Sequence, residues 1–124
     1  MKPTKTTLAN TFVFAWKGII LCLNERNFCI ELAVAVASVL LGVLLQVSFL
    51  EWLIIILCIG VVLGAEAMNT AIEAIVDLAS PEYHDLAALA KDCAAGGVLI
   101  CSIASFIIGC LIFIPKLCVL LGWL

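Results

Sequence analysis

Three long apolar runs dominate this 124-residue chain and restrict what it can fold into. The first extends from Phe28 to about Phe49 and contains one ionisable residue, Glu31, near its start. The second begins at Glu51 and reaches Ala79, and the third runs from Cys93 to about Ile114. As helix, roughly 20 apolar residues cross the ~30 Å hydrocarbon layer of a bilayer, so each run is long enough for one crossing. With 66% hydrophobic and only 12% charged residues, nothing is left over for a separate water-soluble domain. The expectation is a single membrane-embedded, all-α domain over residues 1–124, with transmembrane helices at 28–49, 51–79 and 93–114.

Ahead of these runs, Leu8, Phe12, Trp16, Ile19 and Leu23 share one side of a helical wheel, opposite Thr6, Asn10, Lys17 and Asn24. This pattern predicts an amphipathic surface helix over 7–24, lying in the membrane interface. The cluster Ser80, Pro81, Glu82, Tyr83, His84 and Asp85 interrupts the apolar sequence, which predicts an exposed loop from Ser80 to Asp92. With three crossings, the N-terminus and this loop share a side holding Lys2, Lys5, Lys17, Arg26 and Lys91, against Lys116 alone on the other. The positive-inside rule makes that side cytoplasmic. Gly60 and Gly64, and the small residues from Ala94 to Gly97, permit close helix packing, and so thin a bundle points to oligomerisation. The seven cysteines form no CxxC pairs and read as small apolar side chains. No basic cluster exists to neutralise phosphates along a backbone, so nucleic acid is excluded as a partner.

Chemistry concentrates in the second run. Glu66, Asn69, Thr70, Glu73 and Asp77 are spaced i, i+3, i+4, i+7 and i+11, which puts them on one face of one helix along roughly 16 Å. An ionised carboxylate at mid-membrane costs at least ~2.5 kcal/mol even on insertion scales, so such acids are rare and usually functional. Three acids exceed the basic partners available, Lys91 and Arg26, and the excess calls for a cation. Hard oxygen donors without Cys or His clusters suit Mg²⁺, which keeps several waters and also binds phosphate oxygens. Glu25 lies where it can add a ligand, and Lys91 where a point charge can meet phosphate. Two other uses of the stripe stay open at this level: inter-helix hydrogen bonding, and a proton or cation pathway. No GxxxxGK[ST] sequence occurs, so a nucleotide site here is of another kind.

The core sequence Glu66-Ala-Met-Asn-Thr-Ala-Ile-Glu-Ala-Ile-Val-Asp77 resembles, over most of the chain, the small trimeric prokaryotic lipid kinases that comprise diacylglycerol kinase and undecaprenol kinase. Ser80-Pro-Glu-Tyr-His84, Ala90-Lys-Asp92 and Asn24-Glu-Arg-Asn-Phe28 carry the same resemblance. It implies a homotrimer in the bacterial cytoplasmic (inner) membrane, transferring the γ-phosphate of ATP to a membrane lipid alcohol with Mg²⁺. It further implies Glu66 as general base and Asn69 as the residue orienting Glu66 or the substrate. Glu25 and Glu73 would hold the metal and border ATP, with Phe14, Glu82, Tyr83, His84, Lys91 and Asp92 as further nucleotide contacts. Asn27, Phe28, Glu31 and Glu66 would border the lipid. The Arg-Asn-Phe and Ser-Pro-Glu-Tyr-His wording resembles the undecaprenol branch, whereas Glu31 resembles the diacylglycerol branch. The chain departs from the family by one residue fewer between Trp16 and Glu25, and by Cys29 where Arg is common.

Overall fold

The structure, a computed structural model, describes residues 7–123; Lys2, Lys5 and Thr6 lie outside the described residues. Four helices follow one another: α1 (Leu8–Cys22), α2 (Arg26–Leu44), α3 (Phe49–Ala79) and α4 (Asp85–Leu120). The last three are long and apolar enough to cross a membrane, and α1 is a shorter apolar helix. The all-α, three-span architecture expected from the apolar runs is therefore present, with shifted boundaries.

Those shifts have local causes. α2 stops at Leu44 rather than Phe49 because Gln46 takes a left-handed conformation at φ 50°. The Gln46 and Val47 amides then donate to the carbonyls of Val43 and Gly42, closing the helix with a Schellman turn. Immediately afterwards Ser48 and Glu51 form a capping box, Ser48 N–H donating to Glu51 Oε2 at 2.6 Å and Glu51 N–H to Ser48 Oγ at 3.3 Å. α3 is thereby started at Phe49 and turned back along α2. The exposed connection before α4 shrinks to residues 80–84, because His84 caps the helix: its Nδ1 accepts from the Leu86 amide at 3.1 Å. At its far end α4 runs through Pro115 to Leu120, past the stop expected at Ile114. A membrane helix tolerates proline because neighbouring groups and local adjustments re-satisfy the freed carbonyl.

α3 is the hub, touching α1, α2 and α4, and α3 with α4 forms the most extensive pairing. The apolar core sits at the Ser48 end of the bundle, where Val47, Ile55 and Ile112 are buried among Trp52, Ile54, Ile59, Ile108 and Phe113. Ion pairs stand at both ends of the α3–α4 hairpin: Lys116 Nζ lies 3.1 Å from Glu51 Oε2, and Lys91 pairs with Asp77. Along α3 these pairs are about 39 Å apart. Gly60 and Gly64 do not mediate packing within the chain, since a Cβ at either would meet nothing within 4 Å.

Gly42 does. A Cβ there would fall 2.8 Å from Trp52 Cη2, and the indole is held in the core. Gly42→Ala is expected to destabilise the fold by about 1–3 kcal/mol, as overpacking does. Unfolding in detergent micelles measures it, with Gly18→Ala, a helical glycine whose Cβ would meet open space, as the reference for helix propensity alone. An unaltered midpoint for Gly42→Ala would show that the indole turns aside freely.

Candidate functional site

In a chain whose helices are largely exposed, the buried polar residues among those described are Glu66 and Asn69, at 3% and 5% exposure. They are neighbours one turn apart on α3, and helical periodicity alone puts Glu73 next in line. Asn69 Nδ2 donates to Glu73 Oε1 at 3.1 Å, so the amide holds Glu73 rather than Glu66. Its own Oδ1 is buried without a hydrogen-bond partner. Thr70 returns its hydroxyl to the Glu66 carbonyl at 3.1 Å, which leaves the Glu66 carboxylate free of that neighbour.

Two acids from α2 complete the cluster. Glu25 is the N-cap residue of α2, and Glu31 lies in the second turn. Both are within electrostatic range of Glu66, as is Glu73. Glu31 Oε1 accepts a hydrogen bond from Ser102 Oγ of α4 at 3.2 Å. Ser102 was not among the sequence candidates; its one sequence signal is a hydroxyl inside the third apolar run. At the outer end of the stripe Asp77 pairs with Lys91, so this lysine already has an anionic partner.

The remaining candidates are more scattered. Asn27, Glu82, Tyr83 and Asp92 are exposed, Phe28 is buried, and His84 serves as the α4 cap. Phe14 is exposed on α1 with the Lys17 ammonium 5.8 Å from its ring centroid. Among the described residues, no three His, Cys, Asp or Glu side chains form a chelating group. Mg²⁺ does not need one, because it is usually bound by one or two carboxylates together with water and phosphate oxygens. The donors here, Glu25, Glu73 and the unpartnered Asn69 Oδ1, are all hard oxygens and fit that ion. Glu73, held by the Asn69 amide, can therefore meet a cation, and the buried Glu66 one turn deeper can accept a proton.

Residues 13–113 match the family described as prokaryotic diacylglycerol kinase. The chain is 47% identical over 108 residues to the undecaprenol kinase of Bacillus subtilis, covering 86% of this chain and 88% of that protein. It is 38% identical over 109 residues to a diacylglycerol kinase of Synechocystis sp., covering 86% of this chain and 62% of that longer protein. Against the diacylglycerol kinase of Escherichia coli K12 the identity is 33% over 100 residues, or 80% and 82% of the two chains.

The cap at His84 separates a structural from a nucleotide-binding role. His84→Ala is expected to lose about 1 kcal/mol of stability, whereas His84→Asn, itself a good capping residue, retains it. Equal loss in both variants, read by thermal unfolding, would remove the capping assignment.

Proposed function

This chain belongs to the prokaryotic diacylglycerol kinase family, and on that premise we propose that it transfers the γ-phosphate of ATP, with Mg²⁺, to the hydroxyl of a membrane lipid alcohol. The acceptor is undecaprenol or diacylglycerol. The 47% identity to a protein named undecaprenol kinase supports the former. The burial of Glu66 beside Asn69 on α3 carries the reading. A carboxylate kept at that depth is in reach of a hydroxyl arriving from the lipid phase, not of one arriving from water. Glu66 lies about 22 Å along α3 from Glu51, close to the far edge of a ~30 Å hydrocarbon layer.

In this reading Glu66 accepts the hydroxyl proton as the lipid oxygen attacks the γ-phosphorus, and the bond from that phosphorus to the β,γ-bridging oxygen breaks, with ADP as the leaving group. Glu25 and Glu73 hold Mg²⁺, which when bound neutralises charge on the phosphate oxygens. Asn69 keeps Glu73 in place through its amide and leaves Oδ1 for a ligand. Glu82, Tyr83 and Asp92, exposed at the same end, meet the nucleotide from the cytoplasmic side, and Lys91 exchanges Asp77 for phosphate. The active unit is a homotrimer in the bacterial inner membrane, in which the open faces of Gly60 and Gly64 are available to a neighbouring copy. A continuous ion pathway fits less well, because Trp52–Ala65 of α3 and Cys93–Pro115 of α4 contain no Asp, Glu, Lys, Arg or His to continue the stripe across the membrane.

The direct test is transfer of labelled γ-phosphate from Mg-ATP to undecaprenol and to diacylglycerol, side by side in mixed micelles. Labelling of neither lipid by folded protein would overturn the reading. Glu66→Gln is expected to bind ATP but to lose at least ~10²-fold in kcat, as removal of a general base does. Near-normal turnover in that variant would remove Glu66 from the role. Glu73→Gln is expected to move the Mg²⁺ titration to higher concentration with the lipid KM unchanged; an unmoved titration counts against a metal ligand there.

A further inference from the structure

Of the two carboxylates assigned to the metal, Glu73 stands inside a long helix and Glu25 in a turn. The link between α1 and α2 is Leu23, Asn24 and Glu25, and Glu25 is its exposed last residue, the N-cap of α2. The Glu25 carboxylate makes no capping bond, so it is left for other partners. Buried side chains anchor the chain on either side, Cys22 before Glu25 and Phe28 after it. Between those anchors the backbone closes on itself through i, i+3 bonds alone: Leu23 N–H to the Ile20 carbonyl at 3.1 Å, Asn24 N–H to Leu21 at 3.1 Å and Glu25 N–H to Cys22 at 3.0 Å. Such bonds have poorer geometry than those of an α-helix, so on their own they hold a turn loosely.

One residue grips this turn twice. The Cys29 amide donates to the Glu25 carbonyl at 3.1 Å, the bond that opens α2. The Cys29 thiol donates to the Leu23 carbonyl at 3.0 Å, reaching back over Glu25 to the C-cap residue of α1. The last carbonyls of a helix have no partner within it, and α1 has no basic side chain in its last turn to supply one. Among the described residues, the Cys29 thiol is the side chain that bridges the two ends of the link. Glu25 is thereby fixed from both flanks while its own carboxylate stays uncommitted.

Resting on the kinase reading above, we propose that Cys29 is a positioning residue for Glu25: its thiol closes the α1–α2 turn so that the Glu25 carboxylate faces the cation of Mg-ATP together with Glu73. Cys29 itself touches neither the metal nor the phosphates. An ion that takes only one or two carboxylates from the protein depends on the placement of each, and partners that orient a ligand contribute to metal affinity without joining the coordination.

The test reads metal binding directly. Mn²⁺ is titrated into the full-length protein in micelles with a non-hydrolysable ATP analogue, and the free ion is followed by electron paramagnetic resonance. Cys29→Ala is expected to raise the Mn²⁺ dissociation constant about two- to fivefold, the worth of one hydrogen bond from a weak donor. Cys29→Ser keeps a donor and is expected to return the constant to that of the unmodified chain. In a Glu25→Gln background, where the carboxylate is already gone, Cys29→Ala is expected to add nothing. An unmoved constant in Cys29→Ala, an equal loss in Cys29→Ser, or the same further loss in the Glu25→Gln background overturns the inference and leaves the kinase reading intact. Failure of the unmodified chain to bind the Mn²⁺–nucleotide complex, or to label either lipid, overturns the kinase reading and this inference with it.

Discussion

Keeping a carboxylate buried in a helix that otherwise faces hydrocarbon is the constraint on which the rest of this structure depends. Glu66 is nearly inaccessible, yet α3 offers it no basic partner along the stripe. The arrangement is tolerable only where polar groups and water-facing charge lie close by, and the surrounding contacts provide them. Asn69 is spent on Glu73, Thr70 on the backbone, Glu31 on Ser102 and Asp77 on Lys91. Each bond restrains a neighbour without capping Glu66 itself. Among the described residues the buried side-chain polar atom left without a partner is Asn69 Oδ1, one turn along the helix from Glu66.

The same environment explains why the helix ends carry so much of the fold's definition. Between helices in lipid the hydrophobic effect gives little preference for protein over acyl chains, and association relies on packing and hydrogen bonds. The buried apolar core is accordingly small and lies at one end of the bundle. Around it are the Schellman turn of α2, the capping box of α3 and the fit of Trp52 against Gly42. At the opposite end, near Glu66, packing yields to polar contacts.

Much of this was legible in the sequence because the signals were periodic or long. Three apolar runs became three spanning helices, and the i, i+3, i+7 spacing brought Glu66, Asn69 and Glu73 onto one face. What escaped were features set by a single residue acting against type. Gln46 is an uncommon choice for a left-handed position, where Gly or Asn is usual, so the early end of α2 left no mark. The cap before α4 is a histidine, outside the usual Ser, Thr, Asp and Asn, and the polar cluster around it read as loop as far as Asp92. The expected end at Ile114 falls just before Pro115, a residue that breaks water-soluble helices but is tolerated within a membrane one. Ser102 was invisible because nothing in a linear sequence reports which residue 71 positions earlier it will meet.

The ion pairs at the two ends of the α3–α4 hairpin have a consequence for depth. Two smooth apolar helices in lipid can slide along each other by a turn, about 5.4 Å, with little change in the surface that either exposes. Lys116 with Glu51 at one end and Lys91 with Asp77 at the other remove that freedom, since a slip would part both pairs at once. Charges at the ends of the span therefore set the vertical alignment of residues in the middle. The level of Glu66 along the hairpin is held like a mark on a ruler clamped at both ends, so a change in bilayer thickness tilts the hairpin as a unit instead of shifting the acid against its neighbours.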